Sequence, residues 1–359
     1  MLRLIKHTRV LGLLGTLGLL VSCSPRVATS FWRIATPAYS DMPGYRVLYE
    51  GNKERHCYPI TEACEPAWDP EYDTYHMFHH HGVAVESELM AYRIYFDKKQ
   101  TIDVYCKRTP RLELATSYWY PNDSLLDAGY GYDILRVGGT VGVGSVKYWA
   151  PSPITDNPSP LRHIEDVGER QQWILKQTKN KATIAVSDVD WLVPNGKQDD
   201  PDSRQMVNLS AEYTIRAGHR DMRCDVSVSA PLEGLCTGVQ AIPNKGPNEQ
   251  STLTKYQLPN GTLLVSWGTD WPVNDTIKYA KETVGLAVFI PQKYAGELVQ
   301  DLRNNLCLLK LSPITNHLSP VYHAHFYLTC VGATKENHPV ATNATEWINY
   351  LRRWARRLK

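Results

Sequence analysis

From residue 76 onward, apolar and polar side chains alternate with a period of two in many short runs. Val207, Leu209, Ala211, Tyr213 and Ile215 face one way, and Asn208, Ser210, Glu212, Thr214 and Arg216 the other. That is the pattern of a strand with one buried face. After Ala217-Gly218-His219-Arg220, the alternation resumes with Met222, Cys224, Val226 and Val228, which predicts a hairpin. Strand-like runs over 83–96, 101–107, 162–176, 182–193, 263–267, 283–289, 307–311 and 321–328 complete the body. The first two are joined by the polar turn Asp97-Lys98-Lys99-Gln100. So many two-period segments predict an all-β fold, a large antiparallel β-sandwich. The glycine-rich stretch 138–146 is expected as a further strand. A nucleotide-binding loop would need a helix after it, and no helical pattern follows.

One helix is predicted, over 344–358. Asn343-Ala344-Thr345-Glu346 has the form of a capping box. Trp347, Leu351, Trp354 and Leu358 fall on one face and Arg352, Arg353, Arg356 and Arg357 on the other. The arginine face is expected in solvent, with a membrane-surface role as the alternative. Residues 23–75 carry Pro25, Pro37, Pro43, Pro59, Pro66 and Pro70 with little periodicity, and read as a tether and irregular leader. No break divides 76–359, which is expected as a single domain. At the start, Arg3, Lys6 and Arg9 precede an apolar run of about a dozen residues, short of the roughly 20 that cross a bilayer. With Leu20-Val21-Ser22-Cys23, residues 1–22 resemble a bacterial lipoprotein signal, with Cys23 as the lipidated residue. Ser24 in place of aspartate points to the outer membrane of a Gram-negative cell. The expectation is a body held to the membrane through a lipid anchor only.

The net charge of +2 is too balanced to suggest nucleic acid as a partner. Tyr (21) and Trp (10) outnumber Phe (5). Rings with a polar edge suit partly polar ligands such as sugars, and equally suit strand faces. The 8 cysteines include no CxxC pair, which argues against a structural zinc site of that kind. Cys57 and Cys64 could pair, whereas Cys106, Cys224 and Cys330 sit in strand-like text as small buried hydrophobes.

Candidate chemistry concentrates in 79–108, HHHGVAVESELMAYRIYFDKKQTIDVYCKR. If 83–96 is one extended strand, Glu86, Glu88 and Tyr92 share a face and Ser87, Arg93 and Tyr95 the other. Two adjacent glutamates either lie in water or raise one pKa inside a cleft, where a carboxyl can move protons. His79 and His81, with His76, are candidate metal ligands. The competing reading has the imidazoles as neutral acids, bases or hydrogen-bond partners. No cofactor is required, and a divalent metal is the alternative. A second cluster comprises Asp123, Asp127, Tyr130, Tyr132 and Asp133, and a third Tyr322, His323, His325 and Tyr327. Trp267 and Trp271 could stack on a sugar or belong to the core.

The stretches ESELMAYRIYFDKKQTIDVYCKR and DAGYGYDILRVGGTVGVGSVKYW resemble the bacterial family known as domain of unknown function 4861. The likeness runs over roughly 76–355. It is carried by Glu86, Glu88, Ala91, Tyr92, Arg93, Ile102, Asp103, Lys107, Asp133, Val137, Gly138, Gly142 and Gly144. The resemblance implies a β-supersandwich like that of galactose mutarotases. It also implies an exported protein of polysaccharide-degrading systems, encoded beside pectinases, lyases and unsaturated-uronide hydrolases. The expected function is β-elimination on uronic-acid-containing oligosaccharides, by a lyase or dehydratase. Such chemistry needs a neutralised carboxylate, a base and an acid. Arg93 is the candidate for the carboxylate, His80 or His81 for the base, and Tyr92 for the acid, with Glu86 or Glu88 orienting a histidine. Tyr130, Trp267, His323 and Tyr327 are candidate sugar contacts. One alternative is a glycoside hydrolase pairing Glu88 with Asp133. The other is a glycan-binding lipoprotein without catalysis.

Overall fold

The computed structural model describes residues 24–358, except 36–37, 39, 51, 67–73, 119, 151–158, 195–203, 244–250, 274–275, 278 and 315–319. The expected signal at 1–22 and Cys23 lie outside the described residues. The described strands form four antiparallel sheets, and the largest has ten strands. Its order is Thr252–Leu258, Gly261–Asp270, Glu282–Pro291, Val321–Gly332, Met222–Val228, Met206–Arg216, Lys181–Leu192, Glu169–Gln177 and Glu62–Pro66. Ser312–Ile314 pairs beside Val321–Gly332. The hairpin expected around Gly218 forms, with Ile215 opposite Met222. Gly218 adopts the positive φ of 76° that the turn requires. Met206–Arg216 buries alternate residues as its pattern predicts.

A four-stranded sheet runs Val27–Ser30, Gly82–Ser87, Met90–Tyr95 and Ile102–Cys106. A five-stranded sheet runs Leu161–Arg162, Lys147–Trp149, Leu235–Gln240, Asn304–Leu309 and Ala295–Gln300. One continuous apolar core joins both to a single face of the ten-stranded sheet. It runs from Val85, Tyr92 and Ile94 through Leu209, Ala211 and Val226 to Leu235 and Cys307.

Four expectations change. Residues 83–96 are two strands, Gly82–Ser87 and Met90–Tyr95, with the chain reversing at Glu88 and Leu89. Partners across a hairpin share a face, so Val85 lies with Tyr92 and Ala84 with Arg93. Glu86 and Tyr92 therefore point to opposite sides, and Glu86 and Arg93 to the same one. Residues 138–146 are turns rather than a strand, with Gly138, Gly142 and Gly144 at positive φ. Residues 27–66, read as irregular, supply five strands. Their prolines misled the reading because Pro59 and Pro66 end strands, where a missing N–H costs little. Cys57 is a free, buried thiol, so it forms no disulfide with Cys64.

The C-terminal helix spans Ala344–Ala355, three residues short of the predicted end. Asn343 accepts from the Glu346 N–H at 3.0 Å, and Glu346 accepts from the Thr342 N–H at 2.8 Å. Trp347, Leu351, Trp354 and Ala355 pack on Leu263, Val265, Trp267, Phe289 and Val331, on the face of the ten-stranded sheet opposite the main core. Trp267 is thus core, not a sugar platform. Gly285 makes the fit possible, since a Cβ there would lie 2.8 Å from the Trp347 ring. Trp347→Ala should destabilise the protein by about 3–5 kcal/mol, as for other buried tryptophans. Urea denaturation checks this, and a loss below about 1 kcal/mol would mean that the helix is not held by this side chain.

Candidate active site

The outer face of the four-stranded sheet carries a buried charge cluster. Ile102, Val104 and Cys106 point to the core, so Asp103 and Tyr105 point outward beside Arg93. Arg93 is fully buried. Its Nε and Nη2 donate to Asp103 Oδ2 at 2.8 and 2.6 Å. Nη2 also donates to Asp133 Oδ2 at 3.0 Å, and Nη1 to the Tyr105 hydroxyl at 2.9 Å. The rings of Tyr95, Tyr105 and Tyr120 surround the guanidinium at 5.2, 4.8 and 5.5 Å. Asp133 arrives on a segment that bridges to Tyr105, and its Oδ1 accepts from the Leu135 N–H at 2.9 Å. Burial and the Asp103 charge push Asp133 well above the usual carboxylate range, against the pull of Arg93.

A cleft of about 510 Å³ opens on this cluster. Tyr95, Tyr120 and Asp133 form its inner wall, Asp97, Lys99 and Arg136 its polar rim, and Pro272 and Val273 an apolar side. That volume is within the usual range for small-ligand sites. Burial raises the Tyr120 phenol to about 12, although Arg93 pulls the other way. Tyr120, Lys99, Arg136 and Asp103 were not among the predicted site residues. A signal for Asp103 was present, namely polar residues on alternate positions of a strand whose other positions are apolar.

Most of the predicted catalytic residues have other duties. His79, His80 and His81 form a tight turn, with φ of 58° and 60° at His80 and His81, and all three are buried. His79 Nδ1 lies 3.1 Å from Ser30 Oγ and its Nε2 is 2.5 Å from the Ser117 carbonyl. His80 Nε2 donates to the Leu114 carbonyl at 2.8 Å. Glu86 pairs with Lys107 and accepts from the Glu113 and Leu114 N–H groups at 2.9 and 3.0 Å. These contacts pin the backbone of 113–117 over the sheet. Tyr92 faces the core and donates to the Arg220 carbonyl at 2.5 Å. Glu88 pairs with Arg26 and accepts from the Gly218 N–H at 3.1 Å. Ser87 donates to the His219 carbonyl at 2.6 Å.

Among the described residues, neither His79 nor His81 belongs to a metal-sized group. Among the described residues, the group of that kind is Asp225, His323 and His325, on the ten-stranded sheet. His323 and Tyr327 do not line the Asp133 cleft. Tyr130 lies under the Arg111 guanidinium at 3.8 Å and does not line the cleft. Of the predicted catalytic residues, Asp133 alone lines it, with Arg93 directly behind.

A family model matches residues 40–359. The chain belongs to the family described as domain of unknown function DUF4861. The match reaches well upstream of residue 76, into the strands of the supposed leader. Five of the positions that carry the likeness to DUF4861 meet in two groups, Arg93 with Asp103 and Asp133, and Glu86 with Lys107. A search of curated proteins found no match to the chain.

Burial lowers His79 to about 4 and His80 well below its ordinary value, the latter helped by the neighbouring His79. Both are neutral in the folded protein at neutral pH. Below about pH 6.5 the unfolded chain binds protons that the folded protein refuses, so stability should fall as pH drops from about 6.5 towards 4. Each histidine contributes up to about 1.4 kcal/mol per pH unit. Denaturation at a series of pH values checks this. His79→Asn should flatten the slope, and an unchanged slope would show that His79 is not buried neutral.

Proposed function

We propose that this protein is a carbohydrate-active enzyme that acts on uronate-bearing oligosaccharides by β-elimination, as a lyase or dehydratase, from the Asp133 cleft. The reading takes the stacked sheets as a β-supersandwich of the galactose-mutarotase kind. It takes the protein as a lipoprotein anchored at Cys23 to the outer membrane, as the signal-like first residues imply. The observation that carries the chemistry is Asp133 itself. Its carboxyl stands at a cleft wall with an elevated pKa, among phenols that remain protonated at neutral pH. A carboxylate of raised pKa is a stronger base than a surface aspartate.

The roles follow from position. Lys99 and Arg136 at the rim neutralise the sugar carboxylate, which acidifies the C5 proton. Asp133 takes that proton. Tyr120 gives a proton to the departing oxygen. Arg93 has its donors committed to Asp103, Asp133 and the tyrosines, so it positions the base rather than binding substrate.

The glycoside hydrolase reading is weaker. Asp103 is fully buried behind the cleft and shares one Arg93 nitrogen with Asp133, at 2.6 and 3.0 Å, so the two carboxyls do not flank a space for a sugar. Hydrolases of either stereochemistry hold their two carboxyls about 5–9.5 Å apart. Glu88, the partner first considered for Asp133, is tied to Arg26 and Gly218. A purely glycan-binding role gives no use to a base of raised pKa.

Purified protein incubated with pectic, ulvan-like and arabinogalactan oligosaccharides tests the reading. A change in the ultraviolet absorbance of an unsaturated uronide is expected on at least one of them. New reducing ends without it would indicate hydrolysis, and affinity with unaltered sugar would indicate binding alone. Asp133→Asn should lower turnover by about 10²–10⁴-fold, the usual worth of a general base. Activity should fall on the acid side at a pH above the ordinary aspartate value of about 3.9, because the base must be ionised. Full turnover in Asp133→Asn would dismiss this cast.

A further inference from the structure

The cluster of Asp225, His323 and His325 lies outside the proposed active site and has its own geometry. Val321–Gly332 sends Ala324, Phe326 and Leu328 into the main core. By alternation, His323 and His325 project from the opposite face of the ten-stranded sheet. The neighbouring strand Met222–Val228 places Asp225 directly across from His325, with Ser227 across from His323. Asp225 thus stands beside one imidazole and diagonal to the other.

The three ligand atoms lie within 4.8 Å of one another, and each residue is half-buried. Asp225 Oδ1 is 3.3 Å from His323 Nε2. Donors about 2.0–2.2 Å from a tetrahedral ion stand roughly 3.3 Å apart. One edge of the site therefore already has its final length. The others need to close by about 1.5 Å at most, within reach of imidazole rotation.

Neighbouring side chains orient the ligands. Tyr294 packs edge-on against His323 at 5.6 Å and His325 at 4.8 Å. Arg223 donates to Asp225 Oδ2 at 2.8 Å and to Oδ1 at 2.5 Å, which fixes the carboxylate plane and leaves lone pairs for an ion. Ligating carboxylates commonly have such outer partners. Nothing in the proposed elimination uses this cluster.

We propose that Asp225, His323 and His325 bind one zinc ion on the outer face of the ten-stranded sheet. Two imidazole nitrogens and one carboxylate oxygen suit zinc, and three protein ligands leave a fourth position towards solvent for water or a ligand oxygen. The site stands whether or not the Asp133 cleft performs elimination.

The full chain, stripped with a chelator and dialysed against zinc chloride, should retain one zinc per molecule by elemental mass spectrometry, with a raised Tm. Asp225→Asn, His323→Ala and His325→Ala should each weaken zinc binding by more than the 10–100-fold that loss of an outer partner costs. The same substitutions should abolish the zinc-dependent rise in Tm. Cobalt loading of the unaltered protein should give the visible absorption band of a low-coordinate N/O site, a readout that needs no variant. No retained zinc, no cobalt band, or undiminished zinc in Asp225→Asn and His323→Ala would each overturn the proposal. Because the ligands are partly exposed and none of them lines the Asp133 cleft, elimination activity in the variants distinguishes failure of the zinc site from failure of the cleft.

Discussion

The buried guanidinium of Arg93 is the constraint around which the candidate site is built. Removing such a charge from water costs several kcal/mol, and the cost is offset only where the surrounding groups satisfy it. Asp103, Asp133 and the hydroxyls of Tyr95 and Tyr105 do so here. Two carboxyls meet this one cation, and burial, with the Asp103 charge added to it, lifts Asp133. The reactivity assigned to Asp133 is thus a by-product of how the sheet accommodates its arginine.

The histidines and Glu86 act one step further out. His79 bonds the Ser117 carbonyl, His80 the Leu114 carbonyl, and Glu86 the N–H groups of Glu113 and Leu114. These contacts fix the segment that leads to Tyr120 at the cleft wall. Positive φ at His80 and His81 aims the imidazoles inward, and burial keeps His79 and His80 neutral. Polar residues in such a place serve geometry, and their removal would loosen a cleft wall rather than delete a proton carrier.

The ten-stranded sheet separates two environments. One face shares the main core with the smaller sheets, and the other carries the C-terminal helix at one end and the Asp225, His323 and His325 cluster nearby. Alternation along Val321–Gly332 supplies both, since successive residues alternately enter the core and the outer face.

Local pattern determined the strands from 206 to 228, the capped C-terminal helix and the β-rich class, because alternation and capping depend on neighbours a few residues apart. The family was legible for the same reason, in Arg93, Asp103 and Asp133. Only the tertiary structure decided which of the polar residues meet. A two-residue reversal at Glu88 and Leu89 exchanged the faces of everything after it, parting Tyr92 from Glu86 and bringing Arg93 beside Asp103. Tyr120 and Arg136 reach the cleft through contacts between distant segments, and no local spacing encodes those. Burial likewise decided that the three histidines are scaffold, because exposure is a property of the packed chain and not of the residues that compose it.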